Sequence, residues 1–249
     1  MSNLQLHAQY FNSPSVIAKF SGLLGENRSK QFATSILQVT SQNNLLINAS
    51  TESIYQSALV AAMLDLPILT SIGHAYIVPY KGKAQFQIGW KGLVQLALRS
   101  GQYKKINVIK VYSSQFESFN TLTEELKADF SKPETGDVVG YVAYFILNGG
   151  FEKTLYWSKD KVKTHGLTYS QTFKKGVGNW VTDFDSQALK TVLKQILSKW
   201  GPLSLEMQTA INADQAVIIN AENNEFDYPD NETEDISAEI LGDDNEVLD

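Results

Sequence analysis

The chain has 249 residues, 43% of them hydrophobic, which is enough apolar material for a core, and it contains no cysteine. The lack of cysteine excludes disulfides, thiolate nucleophiles and cysteine-ligated zinc. No apolar run approaches the roughly 18 residues that a membrane-spanning helix needs, and the N-terminus lacks the pattern of a secretory signal. We therefore expect a cytoplasmic protein that does not associate with membranes.

The net charge of −6 combines two regions of opposite sign. Residues 222–249 contain 12 of the 27 acidic side chains and no lysine or arginine, so residues 1–221 hold 15 acids against 21 bases. A basic body with an acidic tail is typical of proteins with nucleic-acid partners, although mildly basic domains are also common.

Hydrophobic spacing predicts helices in the first part of the chain. Residues 1–13 are polar and are expected to be frayed. Between Ser15 and Asn43, apolar residues recur at helical spacing with glycines in the middle, which indicates two helices. Ser50 or the threonine after it can cap a third helix, which Pro67 ends.

From Leu69 onward the pattern mixes short strands with helices. It predicts strands at 74–80 and 83–88, a helix at 90–100, a strand at 106–112, a short helix at 123–130, strands at 138–147 and 152–157, a helix at 158–165, a loop at 166–179, and helices at 184–200 and 204–220. The first two strands form a hairpin with one buried and one wet face, and the run from Val138 to Leu147 is a buried central strand. The expected fold class is therefore α+β: a small antiparallel sheet with a hairpin packed against helices, preceded by an N-terminal helical region and followed by a disordered acidic tail.

A long stretch in the middle of the chain carries cations without acids. Between Asp65 and Glu117 there is no Asp or Glu. The same stretch contains seven basic residues, namely Lys81, Lys83, Lys91, Arg99, Lys104, Lys105 and Lys110. Because unrelieved like charge destabilises a compact protein, a bound polyanion is the expected source of the missing negative charge. A solvated basic face is the alternative.

The predicted helix that follows the hairpin carries part of this positive charge on one face. Lys91, Gln95 and Arg99 lie at i, i+4 and i+8 and so share one face, opposite an apolar face. Phe86 and Trp90 stand among the cations, and aromatic side chains in a cationic groove stack with the bases of single strands at about 1–3 kcal/mol each. Either aromatic residue could instead belong to the core.

Two further basic clusters occur later in the chain. Lys190 and Lys194 are four residues apart in the predicted long helix, and no acid lies between Asp185 and Glu206. A looser cluster consists of Lys159, Lys161, Lys163, Lys174 and Lys175. The candidate DNA-binding residues are therefore Lys81, Lys83, Phe86, Trp90, Lys91, Gln95, Arg99, Lys104, Lys105, Lys190 and Lys194.

Enzyme functions receive less support from the sequence. There is no P-loop motif, and the three histidines are isolated from each other and from acids, so no cofactor or metal is expected. Glu124, Glu125 and Asp129 fall in the predicted short helix, where a solvated face explains them. The alternative function is a metal-dependent nuclease that uses Asp183, Asp185 and a glutamate, and a third is an RNA-binding or structural assembly module.

Two blocks of sequence match a known pattern. The first reads YIVPY at 76–80, AQFQIGWKGL at 84–93 and LALRSG at 96–101, and the second reads NWVTDF at 179–184, ALKTVL at 188–193 and PLS at 202–204. In order and together they resemble the RecT family of phage-encoded single-strand annealing proteins. This sequence departs from the family at Trp90, where tyrosine is common, at Ala188, where methionine is common, and at 113–115, where an acid is often found.

The resemblance implies ATP-independent binding of single-stranded DNA, and its annealing to a complement, in phage recombination within the bacterial cytoplasm. It also implies homo-oligomeric rings or filaments, binding of the annealed duplex, a partner exonuclease and the host single-strand binding protein. The family's basic positions fall on Lys91 and Arg99 in the first block and on Lys190 in the second.

The same reasoning divides the chain into three regions. Residues 1–66 are expected to be an N-terminal helical oligomerisation region, residues 67–206 the DNA-binding annealing core, and residues 207–249 a C-terminal helix with an acidic flexible tail. The tail could recruit protein partners, compete with DNA for the groove or simply keep the protein in solution.

Overall fold

The computed structural model describes residues 2–228 and confirms the α+β class. The part of the chain from residue 229 onward, where the disordered tail is predicted, lies outside the described residues. In chain order the elements are α1 (Asn3–Phe11), α2 (Pro14–Leu24), α3 (Glu26–Ser41), α4 (Asn44–Ile47), α5 (Thr51–Met63), β1 (Ala75–Tyr80), β2 (Lys83–Ile88), α6 (Trp90–Arg99), β3 (Tyr103–Tyr112), β4 (Phe116–Asn120), β5 (Glu125–Ala128), β6 (Val138–Leu147), β7 (Glu152–Ser158), α7 (Lys159–Tyr169), α8 (Gln171–Lys174), α9 (Asn179–Thr182), α10 (Phe184–Trp200), α11 (Leu205–Ala213), β8 (Val217–Asn220) and β9 (Glu225–Asp227).

The N-terminal helices form as their caps and glycines predict, with one exception. Gly25 has a φ of +83° and separates α2 from α3, and the Ser50 side chain accepts a hydrogen bond from the Ser53 amide to cap α5. The expectation that residues 1–13 are frayed is wrong, because Ser2 forms a capping box that begins α1. His7 and Phe11, one helical turn apart, are then buried against the rest of the protein.

The middle of the chain contains the predicted hairpin and sheet. Strands β1 and β2 pair antiparallel through a tight turn in which Lys81 and Gly82 both have positive φ, as the favoured hairpin turns require. The three-stranded antiparallel sheet has the order β3-β6-β7, so the run from Val138 to Leu147 is the central strand as predicted. The hairpin does not have a fully wet face, because Gln85 on β2 is buried.

The short helix predicted at 123–130 is wrong, and a β-hairpin of β4 and β5 stands there instead. Phe116 on β4 stacks on Tyr156 of the central sheet with ring centroids 5.1 Å apart, and Leu126 on β5 packs in the same cluster. These contacts come from β7, which is distant in sequence, so local spacing could not indicate them. Contacts of this kind override helix propensity.

Two other boundaries differ from the prediction. The loop expected at 166–179 is largely helical, since α7 continues to Tyr169 and the short α8 follows. The last predicted helix ends early at Ala213, and the chain then forms the small hairpin of β8 and β9. Gln215 has a φ of +70°, which ends the helical path before the β-branched residues of β8.

A single large hydrophobic cluster connects the parts that frame the cleft described below. It extends from Phe20 in the N-terminal helices through Phe86 in β2 to Leu193 in α10, and all three are fully buried. Strand β2 packs on α5, and α10 packs on both β6 and α6. The hairpin and the long helix are thus held by one core. No helix within residues 2–228 is long and apolar enough to cross a membrane.

Candidate nucleic-acid interface

An open cleft of about 660 Å³ separates the β1–β2 hairpin from the segment that runs from α7 to α10. We call it the hairpin cleft. Tyr76, Tyr80 and Trp90 line it on the hairpin side, and Tyr169 and Trp180 line it on the other side. Amide side chains and backbone fill the spaces between these rings, so both walls offer flat aromatic faces together with hydrogen-bonding groups.

Glycines of the first family-like block allow the hairpin wall to form. A Cβ at Gly89 would overlap the backbone oxygen of Gly73, and a Cβ at Gly92 would overlap that of His74. The N-terminal turn of α6 therefore packs directly on the backbone at 73–74, which carries Trp90 to the edge of the cleft. The glycines in this block serve a close backbone approach.

The hairpin tip and the start of α6 place cations beside the cleft. Lys81 and Lys83 are exposed at the turn, and the Lys81 ammonium lies 5.1 Å from the centroid of the Tyr80 ring. Lys91 is exposed as well, and its ammonium lies 5.8 Å from the centroid of the Trp90 ring. Two of the three aromatic rings on this wall, Tyr80 and Trp90, therefore have an ammonium group near them, which suits a ligand with both flat rings and negative charge.

Lys91 and Arg99 face the same side of the molecule, as the helical spacing predicts. Burial lowers the pKa of His74, and the positive charges of Lys91 and Arg99 lower it further. Gln95, between them on α6, is half-buried. Arg99, however, also has a structural partner: its guanidinium donates to the backbone oxygens of Leu64, at 2.9 Å, and of Asp65, at 3.3 Å.

Two of the predicted lysines stand apart from the cleft. Lys104 and Lys105 are exposed at the start of β3. Like Lys81, Lys83 and Lys91 they are not lining residues of the hairpin cleft, but of these five only Lys81 and Lys91 have an ammonium group near a ring of its wall. Phe86 is fully buried in the core, which is the alternative that the sequence left open. Its ring supports β2 from inside and presents no face to a ligand.

Lys190 and Lys194, the second basic stripe, both have an acidic partner. The expectation that these two lysines lack a counter-charge is wrong. The buried carboxylate of Asp214 accepts from the Lys190 ammonium at 2.7 Å and from the Lys194 ammonium at 2.8 Å. The Ile88 amide, at the end of β2, also donates to Asp214 at 3.2 Å. The acid comes from a segment beyond the long helix, so the absence of acids near the lysines in sequence did not reveal it.

Charge and burial oppose each other in this triad. Burial favours the neutral form of Asp214, but Lys190 and Lys194 together outweigh it and hold the pKa of the carboxyl below its usual value. Burial also lowers the pKa of Lys190, against the attraction of Asp214. Both lysines are therefore bound to a buried acid, and of the two only Lys190 lines the cleft.

Gln85 is a cleft residue that sequence reasoning missed. It alternates with the core residues of β2 and was expected on the wet face, yet it is 3% exposed and lines the cleft. Its amide nitrogen has no hydrogen-bond partner among the described residues. A buried donor without a partner costs about 1–3 kcal/mol, so an acceptor that reached this nitrogen would bind favourably.

The acids of the nuclease alternative have other partners. Asp183 caps α10 by accepting from the Ser186 amide at 3.3 Å. Asp185 accepts from the Tyr141 hydroxyl at 2.6 Å and pairs with Lys110 at 3.4 Å. Within residues 2–228, no three histidine or acidic side chains are grouped as a metal ion would require.

Comparison with known proteins agrees with the two sequence blocks. Residues 30–230 match the RecT family. The chain is 50% identical over 200 residues to protein YqaK of Bacillus subtilis (strain 168), a match that covers 80% of this chain and 69% of that protein. It is 27% identical over 177 residues to Protein RecT of Escherichia coli (strain K12), which covers 68% of this chain and 64% of that protein. The chain therefore belongs to the RecT family.

Proposed function

We propose that this protein binds single-stranded DNA in the hairpin cleft and anneals it to a complementary strand without hydrolysing a nucleotide. Membership in the RecT family implies single-strand annealing recombination. The observation that carries the placement is the cleft itself, which has aromatic rings on both walls, exposed cations at one rim and a buried, unpartnered amide. Cations and aromatic faces are the two kinds of contact with which proteins hold single strands of any sequence.

Phosphate neutralisation is the first part of the mechanism. Two strands repel each other until cations replace their counterions, and such contacts are independent of base sequence. We assign this role to the exposed Lys81, Lys83 and Lys91 at the rim. Lys190 and Lys194 do not share this role, because the buried carboxylate of Asp214 binds both ammonium groups.

Base contacts are the second part. Tyr76, Trp90 and Tyr169 offer aromatic faces that accept any base, so a strand of any sequence can be held with its bases separated. The Gln85 amide can donate to a base carbonyl or a phosphate oxygen. No covalent bond changes during annealing, and the proposed mechanism requires neither a catalytic residue nor a cofactor.

Assembly of several copies is the third part. Contacts with a few nucleotides per subunit are weak, and a ring or filament multiplies them through effective concentration. We propose that residues 1–66 make the subunit contacts and residues 67–206 hold the DNA. Leu6 and Leu23 support this, since they are large apolar side chains exposed on the N-terminal helices and do not line the cleft. A partner exonuclease and the host single-strand binding protein would supply and cover the strand.

An annealing assay with two labelled complementary oligonucleotides in EDTA tests the proposal. Duplex formation that is faster than the spontaneous reaction, with no added nucleotide, is the expected result. A parallel reaction with magnesium separates the alternative function, because shortened strands there would indicate a nuclease. A protein that binds neither strand nor duplex at low salt would contradict the proposed function.

A further inference from the structure

A second recess, of about 370 Å³, adjoins the hairpin cleft between α7, α10 and the segment after α11. We call it the α7–α10 recess. His165 and Tyr169 on α7 line it, together with Gln187 and Lys194 on α10 and with Tyr228. Tyr169, Gln187 and Lys190 belong to the linings of both the recess and the cleft, so a strand in the cleft passes directly beside the recess.

The walls of the recess are aromatic and are held in place. The ring centroids of His165 and Tyr169 are 4.6 Å apart, and His165 also packs on Trp157 at 5.2 Å. Tyr169 is nevertheless 64% exposed and Tyr228 is 38% exposed, although packing normally covers rings of this size. Fixed and accessible rings lose little conformational entropy when a flat ligand stacks on them.

The polar groups of the recess suit a neutral ligand. Burial lowers the pKa of His165, and the charge of Lys194 lowers it further, so the imidazole is neutral at neutral pH. The Lys194 ammonium is already bound to Asp214. Gln187 and Gln215 add amides, each of which can both donate and accept hydrogen bonds. A phosphate would find its cations occupied, whereas a planar, polar and uncharged heterocycle would find partners.

We propose that the α7–α10 recess binds one unpaired nucleobase of the strand that lies in the hairpin cleft. The inference rests on the proposed function of the cleft and adds the ligand of a separate site. The volume is near the lower end of the range for small-molecule sites, about 300–1,000 Å³, which fits a single base. A base in the recess cannot pair, so the site binds single strand in preference to duplex and releases its base as the complement arrives.

Affinity for strands with and without bases tests this assignment. The wild-type protein is compared on a mixed-sequence oligonucleotide and on an abasic strand of equal length and charge, by fluorescence anisotropy at one salt concentration. Tyr228 lines the recess and not the cleft, so Tyr228→Leu should reduce the preference for the base-bearing strand about tenfold, as expected when one stacked base is lost. Tyr169→Leu should act in the same direction, but it also removes a ring of the cleft wall, so Tyr228→Leu is the decisive variant.

The controls separate the recess from the cleft. Phe151→Leu removes an aromatic ring of similar exposure outside both sites and should leave the preference unchanged. If Tyr228→Leu keeps the wild-type preference, or weakens binding of both strands equally, the recess does not hold a base. If the wild-type protein binds neither strand, the proposed function of the cleft fails and not merely this inference.

Discussion

The two basic stripes of this protein looked alike in sequence and differ in the structure. The cations of the hairpin and of the start of α6, including Lys83 and Lys91, are exposed beside an open cleft. Lys190 and Lys194 of α10 share the buried carboxylate of Asp214. Both stripes lack acids nearby in sequence, so local charge counting could not separate them. The difference is set by a carboxylate that the fold brings from another segment.

Arg99 also has partners in the fold, but these partners are backbone carbonyls without formal charge. Its guanidinium donates to the carbonyls of Leu64 and Asp65, which follow the C-terminal end of α5. Helix ends leave carbonyl oxygens without partners, and a cation there is favourable. A count of Asp and Glu does not register such acceptors. The stripe on α6 therefore contains one lysine free to meet phosphate and one arginine that also supports the fold.

Removing Asp214 should have the largest effect. Asp214→Asn leaves Lys190 in a buried position without its counter-charge, and loss of one member of a buried pair costs about 3–5 kcal/mol. We expect the midpoint of urea unfolding to fall accordingly. The double variant Asp214→Asn/Lys190→Met should recover part of the loss, because no buried charge remains. An unchanged midpoint for Asp214→Asn would show that the triad contributes nothing to stability.

The carboxylate of Asp214 should also make the stability of the protein depend on pH. The pKa of Asp214 is lower in the folded protein than in the unfolded chain, so the ionised carboxylate stabilises the folded state. That contribution is present above the ordinary carboxyl pKa and is lost as the pH falls through the lowered, folded-state pKa. Acid unfolding of Asp214→Asn should therefore be shallower than that of the wild type. Parallel acid transitions would contradict the assignment.

A substitution at Gln85 should affect the stability of the protein and its binding of DNA differently. Gln85→Leu removes a buried donor that has no partner among the described residues, so the folded protein should lose no stability and could gain about 1 kcal/mol. If the amide meets DNA, the same variant should bind single strands several-fold more weakly. Chemical denaturation and anisotropy on one preparation measure both effects. A variant that is destabilised and binds normally would place Gln85 in the fold alone.

Much of the fold was predictable because its signals are local. The long helix from Phe184 to Trp200 and the central strand from Val138 to Leu147 have the predicted bounds, since periodicity and flanking turn residues specify them. The β4–β5 hairpin was missed because it packs on a ring of β7, and the strand at Val217–Asn220 because it packs on α5 and β2, all of which are distant in sequence. The cleft follows the same rule: its cations were visible in sequence, whereas Gln85 required the burial of β2.

The salt dependence of DNA binding should distinguish the two stripes directly. For single strands, each phosphate contact contributes about −0.7 to the slope of log affinity against log salt. We expect Lys83→Ala/Lys91→Ala to flatten the slope by about 1.4 if each lysine meets one phosphate. Lys127→Ala/Lys132→Ala, which removes two exposed charges outside the cleft lining, is the control and should leave the slope nearly unchanged. Equal slopes for both pairs would indicate that DNA does not follow the rim of the hairpin cleft.

The smallest expected effect concerns Arg99, and it tests whether charge or geometry matters there. Arg99→Ala should lower the stability by about 1 kcal/mol, since its hydrogen bonds to the carbonyls of Leu64 and Asp65 are lost. Arg99→Lys keeps the charge but cannot reproduce the forked geometry, so it should lose a similar amount of stability while DNA binding stays near the wild-type level. If Arg99→Lys instead keeps full stability and weakens DNA binding, the guanidinium reads the phosphate backbone, and α6 then belongs to the interface along its whole length.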